Sequence, residues 1–327
     1  EIGRGSDGCI VVWRHKKSAD IHIVSKQPVD WKARRYLEAE LEITKAIGNH
    51  PNILQTFGSD EYWLPHGPAI FYEYCELGSA WDYQTELFTT YGEVPEETVW
   101  KLMADMSKAL HWLQNALDKP YIHNDLKPEN ILAAKSRSHV WTLNAVPILP
   151  DFKICDFARV VDFAGKHGPD CVFNGTPEYA APISERRPRI TPQADIWSLG
   201  ATLQAFAYGF KPTMTTKTFI ATRAKAHQSV PAKHSDFELN KWRDLVPVIY
   251  RPLNATAAEQ RERWDIPRDE RGADLSMEPP MSSALNDWYS MCMQLDQRSR
   301  ATAADLARWF VPVAERQVRV LYARRRA

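Results

Sequence analysis

The sequence predicts an α+β fold in two parts: a small antiparallel β lobe with one helix over residues 1–75, then a larger, mainly α lobe over residues 76–327. Two observations carry this. Short runs of β-branched and aromatic residues, interrupted by a single helical stripe, fill the first part, and helical periodicities take over beyond Gly78.

In order, CIVVWRHKK, ADIHIVSK and PAIFYEYC read as strands bounded by Gly, Pro and Asp. Between them, WKARRYLEAELEITKAIG places Leu37, Leu41, Thr44 and Ile47 at helical spacing, with Gly48 as its stop. HPNIL is expected to open another strand. VPEETVWKLMADMSKALHWLQ begins with Pro95 and two glutamates, a sound helix start, and lines one face with Val99, Met103, Met106 and Leu110. Asp195 to Tyr208, DIWSLGATLQAFAY, is apolar nearly all round, which predicts a helix inside the core. Residues 211 to about 280 are rich in proline and charge and weakly periodic, so they read as surface helices in a long insertion. SSALNDWYSMCMQLD and TAADLARWF close the chain as helices, and VLYARRRA makes a basic end, expected to be a solvated helix terminus.

A chain of 327 residues can bury a sizeable core. Lys plus Arg equals Asp plus Glu at 41 each, and this zero balance gives no argument for nucleic acid or an anionic membrane surface. Cys9, Cys75, Cys155, Cys171 and Cys292 are scattered and form no C-x-x-C pair, so neither a disulfide framework nor zinc is expected. They read as small buried hydrophobes of a reducing, intracellular compartment, cytoplasmic or nuclear. No apolar run reaches the ~18 residues of a membrane span, and no signal-peptide pattern opens the chain. A start at Glu1, just short of a glycine-rich turn, reads as an excised domain. The oligomeric state is left open.

The chemistry begins with Gly3, Gly5 and Gly8, spaced G-x-G-x-x-G. Glycine there lets backbone N–H groups approach phosphate oxygens that a Cβ would hold off. A dinucleotide-binding turn needs a helix next; strand-like CIVVW favours a β-hairpin lid instead. Lys26 ends the strand HIVSK, and Glu40 lies on the core-facing stripe of the helix that follows. A carboxylate buried there needs a cation, so a Lys26–Glu40 ion pair is expected. YIHNDLKPEN, Tyr121 to Asn130, then packs His123, Asp125, Lys127 and Asn130 into one loop, and KICDFA, with Asp156, follows. Beyond these come GTPEYAAPI from Gly175, DIWSLG from Asp195 and DQRSRAT from Asp296.

In this order, from Gly3 to Thr302, the elements resemble the eukaryotic protein kinase domain. The loop is similar to H-R-D-L-x-x-x-N, KICDFA to the D-F-G element and GTPEYAAPI to G-T-P-E-Y-x-A-P-E. The resemblance implies a bilobal protein-kinase-like fold and an enzyme that transfers the γ-phosphoryl group of ATP, with Mg²⁺, to protein hydroxyls. Lys127 and Thr176 look like the Ser/Thr rather than the Tyr branch. It implies that Gly3, Gly5, Gly8, Lys26, Glu73 and Cys75 hold ATP and that Lys26 pairs with Glu40. Asn130 and Asp156 would bind Mg²⁺, Asp125 would orient the substrate hydroxyl, Lys127 would neutralise γ-phosphate charge and His123 would pack beneath the magnesium loop. Cys9 and Cys155 would flank the nucleotide pocket, and Glu129 and Glu178 are candidates to select basic residues beside the phosphorylated site.

Three positions depart from the pattern. Asn124 replaces the arginine that clamps a phosphorylated activation loop, and residues 159–175 contain no Ser, Thr or Tyr, so activity is expected to need no loop phosphate. Ala158 replaces glycine, with a modest effect expected. Ile183 replaces a glutamate that would pair with Arg300, leaving Arg300 to pair with Glu185 or to reach solvent. A pseudokinase scaffold is the alternative function, opposed by the presence of Lys26, Glu40, Asp125, Asn130 and Asp156. GTPEYAAP and DIWSLG oppose a small-molecule kinase.

Overall fold

The computed structural model describes residues 2–4, 8–136, 146–163, 171–231, 235–264, 266 and 274–326. The first strands, β1 (Gly3–Arg4), β2 (Cys9–Arg14), β3 (His22–Gln27), β4 (Thr56–Asp60) and β5 (Ala69–Glu73), form one antiparallel sheet in the order β1-β2-β3-β5-β4. Its hairpin register sets Lys26 opposite Ile10 on β2 and Ile70 on β5, which aims the lysine from the middle of the sheet.

Helix α1 (Trp31–Ile47) covers this sheet. Asp30 caps it by accepting from the Lys32 and Ala33 amides, and Gly48 ends it at φ 66, a left-handed angle that glycine takes without strain. Its buried face carries Leu37, Leu41, Thr44 and Ile47 as the periodicity predicts, with Glu40 among them. The expected strand at HPNIL is displaced: the chain turns at Pro51, Ile53 makes only a single bridge to Ile154, and β4 begins at Thr56. Proline lacks the ladder N–H, which favours the turn there.

The large lobe opens with α2 (Ala80–Tyr91), a helix the sequence patterns left unmarked, held by a Ser79–Asp82 capping box. Helix α3 (Glu96–His111) buries Val99, Met103, Met106 and Leu110 completely, each side chain contributing roughly 1.5–3 kcal/mol. Four short strands follow as two pairs, β6 (Tyr121–Ile122) with β9 (Val161–Asp162) and β7 (Ile131–Ala134) with β8 (Asp151–Ile154). Between them they carry the catalytic-loop and DFA segments into the interface between sheet and helices. After α4 (Ile183–Arg186), helix α5 (Gln193–Tyr208) is buried at every residue from Ala194 onward, as an all-round apolar helix must be.

The stretch from 211 to about 280, expected as an insertion, carries α6 (Thr216–Lys225), α7 (Asp236–Arg243) and α8 (Ala257–Arg263). Helices α9 (Ser283–Cys292), α10 (Ala303–Asp305) and α11 (Val311–Arg326) close the chain, with Phe310 stacked on Trp100 at 5.7 Å. The basic end is not wholly solvated, because Arg325 pairs with Glu97 at 2.5 Å and Glu93 at 3.0 Å. No helix among the described residues is long and apolar enough to cross a membrane.

Candidate active site

A cleft of about 590 Å³ lies between the sheet and the helical lobe. Gly3, Gly8, Lys26, Glu40, Glu73, Cys75, Asp125, Lys127, Asn130, Asp156 and Thr176 all line it, while Gly5 lies outside the described residues. Gly8 is there for space: a Cβ at this position would sit 2.6 Å from the Gln27 carbonyl oxygen, so a side chain would push β2 off β3.

On the upper wall, Lys26 Nζ donates to Glu40 Oε2 at 2.6 Å and to Asp156 Oδ1 at 2.7 Å. Burial alone would lower the Lys26 ammonium, but Glu40 and Asp156 outweigh it and hold the group above its usual range. Burial likewise opposes ionisation of Asp156, yet Lys26 brings its carboxyl below the ordinary value. Tyr72, at the back of the cleft, donates its hydroxyl to Glu40 Oε1 at 3.1 Å, a contact that strand periodicity alone does not reveal.

Below, the backbone of Asn124 (φ 67) and Asp156 (φ 63) turns through left-handed conformations that Asn and Asp tolerate better than most residues. Asp195, buried at the start of α5, fastens the first turn by accepting from the His123 amide at 2.7 Å and the Asn124 amide at 2.9 Å. Burial pushes its carboxyl up in spite of these bonds. A carboxylate on a buried helix face needs donors, and Asp195, in the largely apolar run DIWSLGATLQAFAY, carries that signal in the sequence as Glu40 does. His123 is fully buried, edge-on to Phe157 at 5.8 Å, with Nε2 3.1 Å from the Cys155 carbonyl.

Asp125 is fixed from both sides. Its Oδ1 accepts from the Thr176 amide at 2.7 Å, and its Oδ2 from Lys127 at 3.1 Å and Asn130 Nδ2 at 3.2 Å. Lys127 also donates to the Thr176 hydroxyl at 2.8 Å. Because the Asn130 amide nitrogen is spent on Asp125, its oxygen is left for another partner. With the Asp156 carboxylate this makes a set of hard oxygen donors, the chemistry that suits Mg²⁺.

The nucleotide-side residues divide differently. The Glu73 carboxylate is committed to the protein, accepting from the Gln55 amide at 2.7 Å and lying 2.8 Å from Lys153 Nζ. The Cys75 amide has no partner among the described residues, which leaves the backbone, not the thiol, as the group offered to a ligand. Burial pushes the Cys75 thiol up to about 12 and the Cys155 thiol well above its usual range, so both are packed groups rather than reactive ones.

The three departures have local answers. The left-handed residue of KICDFA is Asp156, not Ala158, so the alanine methyl meets no backbone strain. Asn124 Nδ2 donates to the Arg159 carbonyl at 3.2 Å and the Val172 carbonyl at 3.3 Å, tying together two points on either side of the activation segment. Gly175 packs so closely that a Cβ would collide with the Asn124 carbonyl oxygen. Ile183 is turned to solvent, 54% exposed, and Glu185 takes Arg300 in a two-pronged pair at 2.9 and 2.8 Å. Arg300 also donates to the Gln193 and Gln294 carbonyls and lies over the Trp197 ring at 5.0 Å.

Residues 1–310 match the protein kinase domain. The chain is similar to serine/threonine-protein kinase ATG1a of Arabidopsis thaliana, 31% identical over 219 residues that make 64% of this chain and 31% of that protein. It is similar to ATG1b of the same plant, 30% identical over 302 residues, 88% of this chain and 39% of the relative. Serine/threonine-protein kinase 36 of Mus musculus is 30% identical over 225 residues, 67% of this chain and 15% of the relative. The chain thus spans less than half the length of these relatives.

Proposed function

The chain belongs to the protein kinase family, and from that premise we infer that it is a serine/threonine kinase that uses Mg-ATP and needs no phosphate on its activation segment. The observation that carries the reading is the meeting of Lys26, Glu40 and Asp156 on one wall of the cleft with Asp125, Lys127 and Asn130 on the other.

Phosphoryl transfer asks little covalent chemistry of a protein; it asks for positioning and charge. A serine or threonine hydroxyl beside Asp125 would lose its proton to that carboxylate as its oxygen bonds to the γ-phosphorus. The bond from that phosphorus to the β-bridging oxygen breaks, and ADP keeps the electron pair. Thr176 and Asn130 hold the Asp125 carboxylate in place, and Lys127 offers charge where it develops on the transferring oxygens. Lys26, held by Glu40, would take the α- and β-phosphates. Asn130 and Asp156 would hold Mg²⁺, which would supply positive charge against the phosphate oxygens. One lysine between two carboxylates leaves an excess of negative charge on the upper wall, which favours a cation there.

Independence from a loop phosphate is supported by the tie that Asn124 makes to the Arg159 and Val172 carbonyls, together with the absence of Ser, Thr and Tyr from residues 159–175, so that Thr176 is the first hydroxyl in that stretch. The test is transfer of labelled phosphate from Mg-ATP to a generic protein substrate, with Asp125→Asn beside the wild type and with phosphatase-treated enzyme. Loss of transfer by about 10²–10⁴-fold in Asp125→Asn, with no loss after phosphatase, is expected. ATP binding without any transfer would favour the scaffold reading, and a phosphate mapped to 159–176 whose removal silences the enzyme would refute the independence.

A further inference from the structure

Glu178 lies two positions beyond Thr176, and from the sequence it is a carboxylate free to receive a basic residue of a substrate. In the structure it is already occupied. Arg243, the last residue of α7, donates Nε to Glu178 Oε1 at 2.8 Å and Nη2 to Oε2 at 2.7 Å. Lys211 Nζ stands 3.6 Å from the same Oε1. The Glu178 side chain is only 12% exposed, so this fork is less screened than an open surface pair. Burial pushes the Glu178 carboxyl up, but the Arg243 bonds, with a backbone hydrogen bond and Lys211, together carry the group below its ordinary value.

The segment bearing Arg243 is anchored to the same part of the chain as Glu178. Arg186 is buried, donating Nε to the Ala181 carbonyl at 2.6 Å and Nη1 to the Asp244 carbonyl at 2.7 Å. Val246 is buried, Thr213 bridges Val248, and Val248 packs against the Tyr179, Ala201 and Ala205 cluster. This segment is therefore packed onto the residues that follow Thr176 and is not a loose appendage. Two cations, Arg243 and Lys211, thus face the Glu178 carboxylate, with the Arg186 guanidinium and the Asp244 carboxylate beside them.

We propose that Arg243 is a specificity-determining residue: by satisfying Glu178 from within the chain, it closes the subsite that would take a basic substrate side chain and favours acidic or neutral ones there. This rests on the protein-kinase reading of the cleft. A guest arginine has to displace a two-pronged ion pair and enter beside Lys211, whereas a guest carboxylate meets the Arg243 guanidinium, whose side chain is 42% exposed.

The experiment uses serine peptides identical except that the residues flanking the serine are all Arg, all Ala or all Glu. Each is measured on the full chain by phosphorylation rate with Mg-ATP and, separately, by fluorescence anisotropy of the labelled peptide. Arg243→Gln is expected to shift the Arg-to-Glu preference at least tenfold toward Arg, Lys211→Gln less in the same direction, and Arg243→Gln with Glu178→Gln back toward wild type. A misfolded variant weakens all peptides alike, so thermal unfolding is measured in parallel and the ratio is read on folded protein. A ratio that stays within twofold of wild type in Arg243→Gln and Lys211→Gln, or a shift that survives the added Glu178→Gln, overturns the proposal. Anisotropy ratios that shift as expected while no peptide is phosphorylated uphold the subsite and refute the kinase reading instead.

Discussion

In the small lobe Lys26 meets Glu40 at 2.6 Å, and both partners stand where the sequence pattern puts them; in the large lobe Arg300 meets Glu185 at 2.8 Å, although the pattern reserves the carboxylate for position 183. Both cations are buried, and a buried cation needs an anion wherever the chain can supply one. They differ in what else they must touch. Lys26 serves Glu40 and Asp156 together and faces the cleft, so its geometry is fixed by three elements, β3, α1 and the segment after β8. Arg300 serves packing between α4, α5 and the segment after α9, and one short helix is enough to bring Glu185 in and send Ile183 out. A pair that positions chemistry holds its register; a pair that only closes a core can take its carboxylate from a neighbouring position.

The comparison breaks most sharply through activity. Lys26→Ala is expected to cut phosphoryl transfer by about 10²–10³-fold per folded molecule, the range seen when a preorganised charge is removed from a site. Glu185→Ala should leave the rate per folded molecule within a few-fold. Single-turnover transfer corrected for folded fraction checks both, and equal losses in the two variants would erase the distinction.

Stability gives the converse. Glu185→Ala strands the Arg300 guanidinium, whose side chain is 0% exposed, on carbonyl partners alone, at a cost of about 3–5 kcal/mol. Urea unfolding measures it. Adding Ile183→Glu to that variant should recover at least half of the loss, because position 183 lies on the same short helix. No recovery would mean that α4 accepts the carboxylate at one register only.

How far this was legible follows from range. Glu40 and Lys26 could be paired on paper because a helical stripe and a strand end fix both directions, and the loop and DFA residues because their spacing is local. Tyr72 and Arg243 were not legible in that way. Tyr72 reaches Glu40 across the gap between β5 and α1, and Arg243 reaches Glu178 across 65 positions through an insertion with weak periodicity. Helix α2 went unmarked although Ser79 and Asp82 carry a capping box. HPNIL is apolar enough for a strand, but Pro51 lacks the ladder N–H and sits in a turn there.

A smaller effect sharpens the upper-wall half. Tyr72→Phe removes one hydrogen bond to Glu40 and keeps the ring, so about 1 kcal/mol, a several-fold loss in kcat/KM, is expected. If the rate stays at the wild-type level, Lys26 alone positions Glu40.

The smallest effect concerns the third ion pair, Glu178 with Arg243, which is half open to solvent where the other two are enclosed. Burial raises the Glu178 carboxyl, but Arg243, a backbone hydrogen bond and Lys211 together lower it further, so its folded pKa lies below the unfolded value near 4.5. A carboxyl depressed on folding contributes stability that is fully present above the unfolded pKa and is lost as pH falls through the folded one. The stability difference between wild type and Glu178→Gln should therefore hold constant from neutral pH to about 4.5 and shrink below it. In an Arg243→Gln background the same difference should vary less over that window, since Lys211 and a backbone hydrogen bond remain but the main group that depresses the carboxyl is gone. Urea midpoints at four pH values resolve this, and a difference that grows on acidification would reverse the sign and place Glu178 with the carboxyls that burial dominates.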